Sequence, residues 1–133
     1  MKSMSVKITN GLCANSKLVV CDNSGAKIIK MISVVGKGSR KGRIPKAGIG
    51  DLIQASVKAG KTGIRKQVVY AVIVRQKKEF RRRNGMHIKF EDNAAVVLKD
   101  NKGNPRGTTI KGAIAKEVGE RWSAISKLAS VVV

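Results

Sequence analysis

Apolar residues along this chain come in short runs separated by turn-forming residues. Leu18–Cys21, Ile28–Val35, Leu52–Val57, Val68–Val74, Met86–Phe90 and Ala94–Leu98 are each about strand length and rich in valine and isoleucine. Between them stand Asp22-Asn23-Ser24-Gly25, Asn84-Gly85 and Asp100-Asn101-Lys102-Gly103, residues that tolerate positive φ or hydrogen-bond their own backbone. Strands joined this closely pair largely antiparallel. Five or six of them in so small a chain cannot leave long edges open, so the pattern predicts a mostly β domain closed into a compact barrel.

The pattern changes near the C-terminus. Val118, Trp122, Ile125 and Ala129 recur at spacings of three and four, the period of a helix face. Gly119 interrupts that stripe, so one helix and two short helical turns are both compatible with it. The chain of 133 residues is expected to form one domain, a barrel over about 10–113 followed by a helical segment over about 114–129. No internal repeat, linker or low-complexity tract is visible.

Charge narrows the class of partner. Lysine and arginine number 28 against 8 acidic residues, a formal net charge of +20, far beyond what solubility requires. A polyanion is the expected partner. An anionic membrane shares the sign, but the chain has neither a long apolar span nor a basic amphipathic helix. The first ten residues carry no signal-peptide hydrophobic region, so cytoplasmic residence is expected.

The cations are clustered in three places. Gly36 to Lys46 contains Lys37, Arg40, Lys41, Arg43 and Lys46 with no acid, and its glycines let the backbone approach a phosphate. Lys58 to Lys66 adds Lys58, Lys61, Arg65 and Lys66 between two predicted strands. Arg75 to Arg83 adds Arg75, Lys77, Lys78, Arg81, Arg82 and Arg83 against the single acid Glu79, and leads into Asn84-Gly85 as a projecting basic hairpin. A single charged loop is ordinarily a solvated face. Three such runs without neutralising carboxylates point instead to phosphate binding. The only aromatic residues are Tyr70, Phe80, Phe90 and Trp122, so recognition is expected to follow backbone shape and not base stacking.

Groups suited to catalysis are scarce. The one histidine, His87, lies in a predicted strand beside basic segments, where a hydrogen-bonded or RNA-facing imidazole suits it better than a general base. Glu91 and Asp92 are adjacent, so on a strand they face opposite ways and form no converging pair. Gly60-Lys61-Thr62 has the end of a phosphate-binding P-loop, but Ala55 stands where its first glycine belongs and no helix pattern follows. Asp100 to Gly103 lacks the distal glutamate of a calcium loop and contains Lys102. Cys13 and Cys21 have no CxxC partner or neighbouring histidine, so small buried or half-buried thiols are expected, with no disulfide, metal or cofactor. Nothing points to a small-molecule substrate.

Particular strings then identify a family. Ala71-Val72-Ile73-Val74-Arg75-Gln76-Lys77-Lys78, followed by Gly85, Phe90-Glu91-Asp92-Asn93-Ala94 and Val96-Val97, resembles the universal large-subunit ribosomal protein fourteen family in its archaeal and eukaryotic form. Asp22 to Ala26, the Gly36 to Pro45 loop, Gly50-Asp51, Arg106-Gly107-Thr108 and Arg121-Trp122 are similar as well, and the likeness runs from about Gly11 to the C-terminus. The resemblance implies a five-stranded β-barrel with a projecting β-ribbon and short C-terminal helices, bound to large-subunit rRNA. It also implies intersubunit bridges to small-subunit rRNA, ribosomal proteins three and twenty-four-e as neighbours, and a subunit-joining inhibitor at Arg121 and Trp122.

Composition alone is equally compatible with a free-standing RNA-binding regulator, and the family strings favour the ribosomal component. For Trp122, packing onto the barrel and partial exposure to a partner both remain open. Arg121 is expected to point elsewhere and to be the freer of the two. Arg81, Arg82 and Arg83 are expected to be solvated on the exposed hairpin.

Overall fold

The computed structural model describes all residues, 1–133. In chain order its elements are β1 (Leu12–Cys13), β2 (Lys17–Val20), β3 (Ala26–Val34), β4 (Lys46–Ala47), β5 (Leu52–Gly60), β6 (Val68–Arg75), β7 (Phe80–Arg81), β8 (His87–Ile88), β9 (Ala94–Leu98), β10 (Ile110–Ile114), α1 (Lys116–Arg121), α2 (Ser123–Leu128) and β11 (Ala129–Val132). All six strands expected from the apolar runs are present. The short or distant pairs β1–β4 and β10–β11 were not legible from periodicity.

Five strands close into a barrel in the order β2-β3-β5-β6-β9. Four neighbouring pairs are antiparallel, and β2 pairs with β9 in parallel through Val19↔Ala94 and Val20↔Ala95. Parity requires this. A closed ring with an odd number of strands cannot alternate direction all the way round, so one pair must run parallel. Closure leaves no barrel edge to be capped.

The interior follows from the register. Met31↔Ala55, Ile53↔Ala71 and Ile73↔Ala95 are cross-strand partners, and all are fully buried. Each joins a large side chain to an alanine, which is how a narrow barrel is filled without voids. On β2 the outward Lys17 and Val19 alternate with buried Leu18 and Val20. Strand β9 is buried at every position, because its outer side is also covered.

The turn after β2 is tied to the neighbouring strand β9. Asp22 is buried, and its carboxylate accepts the backbone N–H groups of Ser24 at 3.0 Å and Val97 at 2.7 Å. One side chain therefore shapes the turn and satisfies a strand on β9.

The C-terminal part forms a second layer. Helices α1 and α2 meet at Trp122, whose φ of −125° and ψ of 80° end one helix and start the next, so the break falls three residues past Gly119. The chain does not stop as helix: β11 pairs in parallel with β10, a placement suited to the β-branched tail. No helix is long and apolar enough to cross a membrane.

Candidate nucleic-acid interface

The loop between β3 and β4 is held at both ends by one buried carboxylate. Asp51, immediately before β5, accepts from the Gly48 backbone N–H at 2.8 Å and from Lys37 Nζ at 2.7 Å. The intervening chain arches outward and leaves a cleft of about 680 Å³ lined by Lys37, Arg40, Arg43 and Lys46, together with Asn10. No carboxylate lines it. Four of the five cations expected in this loop thus converge on one concavity, while Lys41, with a positive φ of 56°, stands exposed outside it. Asn10 reaches the cleft from the N-terminal segment, a tertiary proximity with no signal in the sequence.

The second cluster is exposed and anchored by one apolar residue. Lys58 faces outward near the end of β5, and Lys61, Arg65 and Lys66 lie exposed in the following turn. Ile64 in the same turn is buried and pins it to the core. Lys66 adopts a φ of 63° and donates its backbone N–H to Val57 at 3.0 Å, which directs the chain back into β6.

In the third cluster the cations divide. Lys77, Lys78, Arg81 and Arg83 are exposed, with Lys78 3.9 Å from Glu79. Arg75 and Arg82 are instead engaged within the chain, and Arg82 is buried where a solvated side chain was expected on the hairpin. Arg75 donates to both oxygens of Asp92 at 2.9 and 3.2 Å and to the carbonyls of Lys111 and Ala113. Arg82 is buried and donates to Glu117 at 2.8 and 3.3 Å and to the Val133 carbonyl at 2.6 Å.

Strand alternation explains the inward arginine. The hairpin pairs Phe80↔Ile88 and Arg81↔His87 around Asn84-Gly85, where Gly85 has a φ of 87°. Residues 80 and 82 share a face, and Phe80 is buried in the core, so Arg82 turns inward after it. Its guanidinium carbon stands 5.7 Å from the Phe80 ring centre. Residues 81 and 83 face the other way. The period-two signal was present in the sequence, but the acid that receives Arg82 is 35 residues distant.

The C-terminal pair is also internal. Trp122 is 6% exposed and donates Nε1–H to the Gly50 carbonyl at 2.8 Å. Gly103 makes room for the ring, since a β-carbon there would run into the edge of the indole. Arg121 donates to the same Gly50 carbonyl and to Asp51, each at 3.3 Å, and to the Lys2 carbonyl at 2.9 Å. The expected separation into a structural Trp122 and a free Arg121 therefore does not hold.

Five basic side chains, Lys37, Arg75, Lys78, Arg82 and Arg121, pair with carboxylates. The other 23 form no ion pair within the chain, and 11 of them lie in the loop, the turn and the hairpin. No three His, Cys, Asp or Glu side chains gather in a metal-binding group. Chemically the arrangement can hold a polyanion by charge and backbone shape.

Comparison with known proteins identifies the family. The family model described as Ribosomal protein L14p/L23e matches residues 11–133. The chain is 52% identical over 133 residues to the large ribosomal subunit protein uL14 of Nanoarchaeum equitans, covering all of both chains. It is 45% and 48% identical, again over the whole of both chains, to the proteins of the same name from Methanocorpusculum labreanum and Halobacterium salinarum. With full-length similarity at this level, the chain belongs to the L14p/L23e ribosomal protein family and is a structural, non-enzymatic constituent of the large subunit of cytoplasmic ribosomes.

Proposed function

We propose that this chain binds large-subunit rRNA by phosphate and shape contacts, with the cleft of Lys37, Arg40, Arg43 and Lys46 as its principal phosphate site. The observation that carries this reading is the convergence on one concavity of Arg40, Arg43 and Lys46, none of them paired with a carboxylate, beside Lys37, which Asp51 positions at 2.7 Å. Lys41 flanks that cleft. Lys58, Lys61, Arg65 and Lys66 extend the surface from the second turn, and Lys77, Lys78, Arg81 and Arg83 extend it from the hairpin. Arg75 and Arg82 serve the interface indirectly, by fixing the backbone that presents their neighbours.

Family resemblance supports a finer placement. On this reading the chain contributes to intersubunit bridges with small-subunit rRNA and lies beside ribosomal proteins three and twenty-four-e. A subunit-joining inhibitor docks at the surface supported by Arg121 and Trp122.

The test is RNA affinity measured against salt. Wild type should weaken steeply with a linear slope of log affinity on log salt, and Arg40→Ala/Arg43→Ala should flatten that slope by about two at an unchanged thermal midpoint. An affinity for rRNA fragments that barely responds to salt in both proteins would sink the proposal. Sedimentation of cell lysates supplies the second check: the double variant should be depleted from large subunits relative to wild type.

A further inference from the structure

Two lysines lying outside all three basic runs are brought face to face by the barrel. Lys17 on β2 and Lys30 on β3 are directly opposed partners in the antiparallel register, and Lys30 is in turn opposed to Ser56 on β5. Like charges directly across a sheet repel at close range and destabilise the pair, so the free protein bears a cost at this position. Neither lysine pairs with a carboxylate. None of the eight acidic residues falls within β2, β3, β5 or β6, the four consecutive strands of this wall.

The rest of the outer wall is ordered around that pair. Val19 and Ile28, two residues further along the same strands, are opposed to each other and are 48% and 38% exposed. Beyond the lysines in the other direction, Ser33 Oγ donates to Gln54 Oε1 at 3.3 Å and Gln54 Nε2 donates to the Tyr70 hydroxyl at 3.3 Å. Tyr70 accepts in this chain, which leaves its own proton free for an external acceptor. The wall thus carries the Val19–Ile28 pair, the lysine pair and a row of hydroxyl and amide groups, with Ile32 and Val68, 46% and 63% exposed, standing singly among them.

We propose that this outer wall of β2, β3, β5 and β6 is a second RNA-binding face, which takes the wide, shallow minor groove of a helical RNA. Lys17 and Lys30 meet a phosphate, whose charge turns their mutual repulsion into shared attraction. Val19 and Ile28 lie against ribose, and Ser56 and Tyr70 meet 2′-hydroxyls, the groups that an A-form minor groove displays. A protein partner fits less well, because the aliphatic side chains are interleaved with lysines and do not make a continuous apolar patch. The inference rests on the proposed RNA-binding function but concerns residues that the three basic runs do not contain.

The test compares Lys17→Gln/Lys30→Gln with Arg40→Gln/Arg43→Gln, using a blunt RNA duplex as the probe and the full chain throughout. The lysine variant should hold or raise the thermal midpoint, since a repulsive pair is removed, while flattening the salt dependence of RNA affinity by about two. A second measurement needs no variant: acetylation of Lys17 and Lys30 in the wild type, read by mass spectrometry, should slow when the duplex is added. Unchanged affinity and unprotected lysines, with the cleft variant still impaired, would overturn this face alone. Loss of incorporation into large subunits at full RNA affinity would assign the wall to a protein and equally overturn it. A wild type insensitive to salt would overturn the underlying RNA-binding function instead.

Discussion

Arg121 and Trp122 converge on one acceptor: the Gly50 carbonyl receives the indole N–H at 2.8 Å and the arginine Nη1 at 3.3 Å. The next residue, Asp51, receives the same arginine and holds Lys37 of the cationic loop. The helix pair and the phosphate cleft are thereby tied to one corner of the barrel.

Both residues at this corner should therefore matter to stability. Trp122→Ala is expected to cost about 3–5 kcal/mol, the scale for deleting a buried aromatic ring. Arg121→Ala should cost about 1–3 kcal/mol, because Asp51 and the Gly50 carbonyl lose a charged donor in a mostly buried setting. Denaturant titration of the two variants decides it. An Arg121→Ala protein as stable as wild type would show that the shared acceptor contributes little.

The three consecutive arginines of the hairpin should behave differently. Arg82→Ala leaves Glu117, which is 0% exposed, without its cation, and breaking such a pair from one side costs about 3–5 kcal/mol. The thermal midpoint should fall by on the order of 10 °C. Arg81→Ala should leave it nearly unchanged and weaken RNA binding. Equal midpoints for the two variants would mean that Glu117 finds another partner.

Gly103 and Gly85 both have positive φ, 97° and 87°, but their surroundings differ. An alanine at 103 would collide with the Trp122 ring, whereas at 85 nothing lies within 4 Å. Gly85→Ala should cost about 1 kcal/mol from backbone conformation alone. Gly103→Ala adds overpacking, for a total of about 2–4 kcal/mol, and should shift tryptophan fluorescence. An unshifted emission maximum would show that the ring is not displaced.

The two cysteines should separate in reactivity. Burial pushes the Cys21 thiol from 9.0 up to about 11, with the nearby Arg75 charge offsetting only part of that rise, while Cys13 is exposed. At pH 9 the folded chain should release one equivalent in a thiol assay, and a second only in denaturant. The sign follows from the raised value: between 9.0 and about 11 the unfolded chain loses the Cys21 proton first, so this group withdraws stability as pH rises through that window. Two fast equivalents under native conditions would contradict the burial of Cys21.

The positions of the five barrel strands, the turn chemistry and the sign of the chain's charge were determined by the sequence alone, because each depends on composition or on residues close together in the chain. Leu18 next to exposed Lys17 and Val19 reads as a strand without any tertiary information, and Asn84-Gly85 reads as a turn. Which arginines remain available was decided only by the tertiary structure. Arg75 finds Asp92 at a separation of 17 residues, Arg82 finds Glu117 at 35, and Arg121 finds Asp51 at 70. The same holds for Lys17 and Lys30, which become neighbours only through strand register. Local periodicity says that a side chain leaves a strand on a given face. Whether that face meets water, a carboxylate or a like charge depends on which distant segment the closed barrel brings against it.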